Sequence, residues 1–184
     1  MNYCSNCGSK DLAFVIPEGD NRPRYVCGNC QTIHYSNPNM VVGCLPVYED
    51  KILLCKRAIE PRRGYWNLPA GYLENKETVE EGAKREVMEE AGIDVEIVRL
   101  HCIYSIPRIS QVYCFFLANM KSPEWEIGEE TLEAGLYTAE EIPYDEIAFP
   151  SSIYAIKKYL KSLETGFEGT YVSSWNDSLL KKDK

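Results

Sequence analysis

The spacing of apolar residues changes along this chain, and those changes predict its elements. Residues 40–47 and 51–56 are β-rich runs meeting at Glu49 and Asp50, which predicts two strands joined as a hairpin. Between 77 and 91 the period lengthens. Ala83, Val87 and Ala91 fall one turn apart and make the apolar row of a helix that can pack on a sheet. Further strands are expected near 95–104, 111–118 and 132–137, and a last helix near 151–163. No internal repeat is present, and the lysine-rich end at 181–184 reads as a solvated tail.

The polar side of the 77–91 helix carries the chemistry. Glu86 and Glu90 lie one turn apart on one side with Glu89 beside them, so their repulsion works against the helix and a divalent cation would relieve it. A lone Glu-Glu pair is ordinarily a solvated face. Here glycines bracket the acids. Gly71 permits a backbone excursion that brings a carbonyl toward a metal, and Gly92 can supply the left-handed residue that ends the helix. Arg85 can reach Glu89 one turn on, or fold back toward Glu77, and orient a carboxylate by a forked hydrogen-bond pair. Carboxylate oxygens with open water positions suit Mg²⁺ or Mn²⁺.

Gly71, Glu77, Arg85, Glu86, Val87, Glu89, Glu90, Gly92 and Ile93 meet every fixed position of the Nudix box, with five residues after Gly71 and seven after Glu77. The chain therefore resembles a Nudix hydrolase. That resemblance implies an α/β fold, the Nudix α/β/α sandwich with a mixed sheet. It also implies metal-dependent attack of water on a nucleoside diphosphate joined to a second group. Glu86, Glu90, Glu89 and the Gly71 carbonyl are the expected Mg²⁺ or Mn²⁺ ligands, and Glu86, Glu89, Glu90 and Arg85 the expected catalytic set. Glu89 is either a third ligand or the general base. A base from a loop outside the box is the alternative, with Glu129, Glu130 and Glu133 as candidates, although a solvated acidic loop is the plain reading of those three.

A second signal opens the chain. Cys4-Ser-Asn-Cys7 and Cys27-Gly-Asn-Cys30 are two Cys-x-x-Cys knuckles separated by nineteen residues, the spacing of a zinc ribbon. Four thiolates close a tetrahedral Zn²⁺ site with no open position, so the metal is expected to be structural, with Gly8 and Gly28 easing the turns. Free cysteines or two disulfides are the alternatives. About thirty residues bury too little to fold unaided, and a metal is a sensible staple. Cys44, Cys55, Cys102 and Cys114 sit in apolar strand-like runs and read as buried thiols.

Composition narrows the partners. The 184 residues carry 45% hydrophobic residues and a net charge of −8, enough for a core but poorly suited to nucleic-acid or anionic-membrane binding. Within the ribbon Lys10, Arg22 and Arg24 are offset by Asp11, Glu18 and Asp20, leaving no basic stripe. No long apolar run or basic leader opens the chain, so a cytoplasmic location is expected. The expected organisation is a zinc ribbon at 1–36, a Nudix domain at 37–165 and a C-terminal tail at 166–184.

Outside the box, Lys56, Arg57, Arg62 and Arg63 are candidates for phosphate contact. Tyr65, Trp66, Tyr72, Tyr104, Tyr113 and Phe149 offer flat rings, of which about two are expected at the substrate and the rest in the core. Arg57, Arg63, Tyr72 and Phe149 are the chosen substrate-binding set. The stretches 37–43, 53–57, 68–74, 141–144 and 148–154 extend the resemblance to zinc-ribbon Nudix proteins related to plant plastid FAD pyrophosphatases. FAD hydrolysis to FMN and AMP is the first expectation on that ground, with NADH or ADP-ribose as alternatives and a homodimer as the assembly. A Nudix-fold regulator that senses a ligand without turnover is the rival class, and the intact acid set argues against it.

Overall fold

The computed structural model describes residues 1–175, so the lysine-rich end lies outside the described residues. Two compact units result, Met1–Asn37 and the residues from Pro38 onward.

The first unit is a three-stranded antiparallel sheet. It is made of β1 (Leu12–Val15), β2 (Arg24–Cys27) and β3 (Ile33–His34), in that spatial order. Its core is slight: Cys4 and Cys27 are its buried residues, while Phe14 and Tyr25 pair ring to ring at 4.9 Å on the surface. These short strands escape a periodicity reading because each is two to four residues long.

The second unit is built on a mixed sheet. β4 (Asn39–Tyr48) and β5 (Lys51–Arg57) form the expected hairpin, turning at Glu49, which adopts a left-handed backbone. Two short strands follow, β6 (Trp66–Asn67) and β7 (Ala70–Tyr72), then helix α1 (Val79–Ala91), β8 (Val95–Ile106), β9 (Gln111–Met120), β10 (Thr131–Tyr137), helix α2 (Pro150–Thr165) and β11 (Tyr171–Ser174). The main path runs β10-β5-β4-β9-β8-β11, with β6 on β5 and β7 on β4. β4 with β9 and β8 with β11 are parallel pairs, and the others are antiparallel.

Strand β4 explains the layers. Its alternate residues Val41, Leu45 and Val47 face a core shared with Ala155, Ile156 and Tyr159 of α2. Val42 and Cys44 face a second core shared with Ala83, Val87 and Ala91 of α1. A strand buried on both faces reads as a continuous apolar run, and helices on opposite faces make the α/β/α sandwich. The row Ala83, Val87 and Ala91 is fully buried, as its spacing predicts, and the four central cysteines are buried thiols.

Helix α1 starts two residues later than expected because Thr78 caps it. The Thr78 side chain accepts from the Glu81 N–H while the Glu81 carboxylate accepts from the Thr78 N–H, a reciprocal pair that satisfies two otherwise unpaired donors. The helix ends at Gly92, left-handed with φ 63°, as its position predicts. One expectation fails outright. Residues 171–174, assigned to a tail, form β11 alongside β8, anchored by the Trp175 N–H to the Ser105 carbonyl at 2.8 Å. Four residues, two of them serines, give no periodic signal of their own.

Candidate active site and metal centres

Four sulfurs meet in the first unit. One ligand atom from each of Cys4, Cys7, Cys27 and Cys30 lies within 4.8 Å of the others, with Sγ–Sγ distances of 3.6 Å for Cys4–Cys30 and for Cys7–Cys27. A tetrahedral Zn²⁺ with sulfurs at 2.3 Å requires sulfur separations of about 3.8 Å, whereas a disulfide requires about 2.05 Å. The donor set therefore fits Zn²⁺. Surrounding groups stabilise thiolates. Thr32 Oγ1 lies 3.1 Å from Cys30 Sγ and holds that thiol down at about 5, and Asn6 and Asn29 donate to Cys30 and Cys7 at 3.6 Å. His34 Nε2 sits 3.3 Å from Cys4 Sγ. The turns differ from expectation. Gly8 takes the left-handed position after the first knuckle, but Gln31 rather than Gly28 takes it after the second. At Gly28 a Cβ would lie 2.0 Å from Asp11 Oδ2, so that exposed carboxylate would have to move aside.

In the second unit the acids of α1 open on a cleft of about 980 Å³. Glu86 and Glu90 are buried at its base while Glu89 is exposed at its edge. Burial pushes Glu86 above the ordinary carboxylate range against the pull of Arg85. Glu90 is pushed up to about 8 by burial, opposed by the Ala70 N–H that donates to Oε1 at 3.0 Å. A buried carboxylate held by one backbone amide and paired with no guanidinium or ammonium among the described residues fits a cation ligand.

Arg85 makes both of the contacts considered from sequence, and two more. Nε and Nη2 grip the two oxygens of Glu77 at 3.0 and 2.8 Å, while Nη1 reaches Glu86 at 2.7 Å and Glu89 at 2.9 Å. The fork holds Glu77 down at about 2. Nη2 also donates to the Tyr72 carbonyl at 3.1 Å, tying the loop before the helix to the helix itself.

Gly71 acts by absence of bulk. It lies in β7 opposite Val42 rather than in a left-handed excursion, and a Cβ there would lie 2.5 Å from both oxygens of Glu86. The expectation of an unusual backbone at Gly71 is thus corrected: close approach is what requires glycine. A similar constraint places the acidic loop. Gly128 N–H donates to the Glu90 carbonyl, and a Cβ at 128 would lie 1.8 Å from the Glu89 carbonyl oxygen. Packed that tightly, the loop sets Glu129 and Glu130 on the cleft wall, close enough for Glu130 to raise Glu86 and Glu90 further. Glu133 points elsewhere and pairs with Lys56 at 3.3 Å.

Among the substrate candidates, Arg57, Tyr72 and Phe149 line the cleft, with the Arg57 guanidinium 5.1 Å from the Phe149 ring centre. Arg63 does not. Arg62 takes that place on the wall, its backbone left-handed at φ 68°. Tyr113 also lines the cleft, whereas Trp66 packs on Tyr137, Tyr104 on Tyr154, and Tyr65 under Arg62. The sequence reading passed over Asn67, Arg108, Gln111 and Trp175, all on the cleft. Asn67 and Gln111 are isolated polar residues in strands, which have no spacing to betray them.

A glycine pressed on a helical glutamate, an arginine clasping Glu77, and two buried acids on the same helix are the box in three dimensions. The chain belongs to the Nudix family. A family model described as the NUDIX domain matches residues 37–157, and one described as Nudix N-terminal, a zinc ribbon, matches 2–36. The solved structure of a NUDIX hydrolase from Nitrosomonas europaea is 46% identical, covers 95% of this chain and all of that one, and superposes with a TM-score of 0.88. An ADP-ribose pyrophosphatase of Methanocaldococcus jannaschii is 31% identical over 69% of this chain and 76% of its own. A NAD-capped RNA hydrolase, NudC, of Vibrio atlanticus is 34% identical over 54% of this chain, which spans only 35% of that protein. This chain is a Nudix hydrolase with a zinc-ribbon module before it. No described helix is long and apolar enough to cross a membrane.

Proposed function

We propose that this Nudix hydrolase cleaves the pyrophosphate of an adenosine diphosphate conjugate, releasing AMP and the phosphorylated second group. The observation that carries the reading is the buried Glu86 and Glu90 pair facing a 980 Å³ cleft that also holds Arg57, Tyr72 and Phe149. Mg²⁺ or Mn²⁺ held by Glu86, Glu89 and Glu90, with the Gly71 carbonyl as a further donor, would supply positive charge to the pyrophosphate oxygens and a lowered pKa to an attacking water. The chain's own residues do the rest. Arg85 fixes Glu86 and Glu89, Glu90 is fixed by Ala70, Arg57 binds a phosphate, and Glu129 or Glu130, or Glu89 if it is not a ligand, takes the proton from water.

ADP-ribose and NADH rank ahead of FAD, the first expectation from sequence. The similarity to an ADP-ribose pyrophosphatase supports ADP-ribose, that to a NAD-capped RNA hydrolase supports a NAD moiety, and an adenosine diphosphate half common to all three leaves only one end of the cleft to change between them. A net charge of −8 disfavours a long RNA as the preferred substrate. A homodimer belongs to the same proposal on resemblance alone, and light scattering tests it. Incubating the protein with ADP-ribose, NADH, FAD, NAD-capped RNA and sugar nucleotides, each with Mg²⁺ or Mn²⁺, is expected to release AMP from the first two most efficiently. No AMP from any adenosine conjugate would overturn the reading.

A further inference from the structure

We propose that Gln111 reads the base of the substrate, and that it selects adenine. This rests on the adenosine diphosphate reading above. Gln111 opens β9 with Asn39 of β4 on one side and Ile106 of β8 on the other, so its backbone is fixed by both neighbouring strands. Its side chain is fixed too. Nε2 donates to the Tyr72 hydroxyl at 2.8 Å, and the Tyr113 hydroxyl donates to Oε1 at 2.9 Å.

Burial sets the direction of that chain. Tyr113 is 8% exposed and, among the described residues, its hydroxyl pairs with Gln111 alone, directing its proton to the amide oxygen. Nitrogen is then left for Tyr72, which is 56% exposed and can turn its own proton to solvent or ligand. Each of the two amide atoms has spent one of its two hydrogen-bonding positions. One N–H and one oxygen lone pair remain on an amide that lines the cleft.

A planar ring with an amino N–H next to a ring-nitrogen acceptor complements that pair. Adenine offers this edge, and the side-chain amide is the group that matches it by two hydrogen bonds. Hypoxanthine offers an oxygen where adenine has the amino group and cannot satisfy the same order. Tyr72 also couples the reader to the reacting end, because its carbonyl is held by Arg85 while its hydroxyl holds Gln111. The chain of contacts from Glu77 through Arg85 and Tyr72 to Gln111 sets the reach of the base from the acids.

The test compares kcat/KM for ADP-ribose with that for its hypoxanthine counterpart, inosine diphosphate ribose, in the full-length protein. The wild type is expected to prefer adenine by about 10- to 100-fold. Gln111→Leu is expected to reduce that preference to near unity, chiefly through a raised KM for ADP-ribose. Tyr113→Phe keeps the amide but frees its order, and is expected to lose part of the preference even if Gln111→Leu folds poorly. A wild type without preference, or variants that slow both substrates equally, would overturn the role of Gln111 while leaving the pyrophosphatase reading intact. Failure to hydrolyse either substrate would instead overturn the reading beneath it.

Discussion

Arg85 and Glu77 are joined by two parallel contacts, Nε to Oε2 at 3.0 Å and Nη2 to Oε1 at 2.8 Å, across eight residues of sequence. A planar guanidinium can make that fork and still reach Glu86 and Glu89, whereas an ammonium cannot. Arg85→Lys is therefore expected to keep the charge and fold but lower activity and metal affinity by about 10- to 100-fold. Mn²⁺ titration beside steady-state kinetics checks it.

The buried acids predict an unusual pH response in the metal-free protein. Glu90 titrates at about 8 in the fold against an ordinary 4.5, because of burial. Between those values the folded chain holds a proton that the unfolded chain has released. Stability from this group is thus greatest at low pH, falls as pH rises from about 4.5 to about 8, and is fully lost above that. Glu90→Gln should flatten the profile and raise Tm at pH 9 without metal. Divalent cation should raise the wild-type Tm most at that same pH. Thermal unfolding from pH 5 to 9, with and without Mg²⁺, measures both.

Gly71→Ala isolates position from charge. The nearest atoms to the added methyl are those of the Glu86 carboxylate, at 2.5 Å, a side-chain end rather than backbone, so the fold should persist while the carboxylate shifts. Turnover is expected to fall by about 10²-fold, the scale of a small misplacement in a positioned site, with Tm within a few degrees of wild type. Unchanged turnover would show that Glu86 has room the structure does not give it.

For the ribbon, the prediction concerns folding. Cys4→Ser, or a strong chelator, should remove zinc and release the amides of 12–34 to rapid hydrogen exchange, since the unit's two buried cysteines cannot hold it. Zinc content by mass spectrometry and exchange rates read this out. Retained protection without zinc would show that the sheet holds itself.

The helix of the active site was the most legible part of the chain, because its two faces carry two signals at one period: Ala83, Val87 and Ala91 inward, and Glu86 and Glu90 toward the cleft. The cysteine knuckles were legible for a similar reason, four identical ligands at fixed spacing. Gly71 was found by its place in a motif but explained wrongly, since a close approach made by a residue fifteen positions away leaves no local trace. Gln111 and Asn67 were missed because they act through partners far along the chain: Gln111 through Tyr72, and Asn67 through Ser152 at 2.6 Å. Strand β11 was missed because parallel pairing to β8 supplies what its own four residues do not.

The central claim is that Glu86 and Glu90 are kept buried in order to hold a divalent cation for pyrophosphate chemistry. Its most direct measurement is the anomalous difference map of crystals soaked in Mn²⁺, for wild type and Glu90→Gln. Strong density is expected between the Glu86 and Glu90 carboxylates in wild type, much weakened in the variant. An empty wild-type site, with Arg57 or Arg85 turned in to neutralise both acids, would contradict the claim.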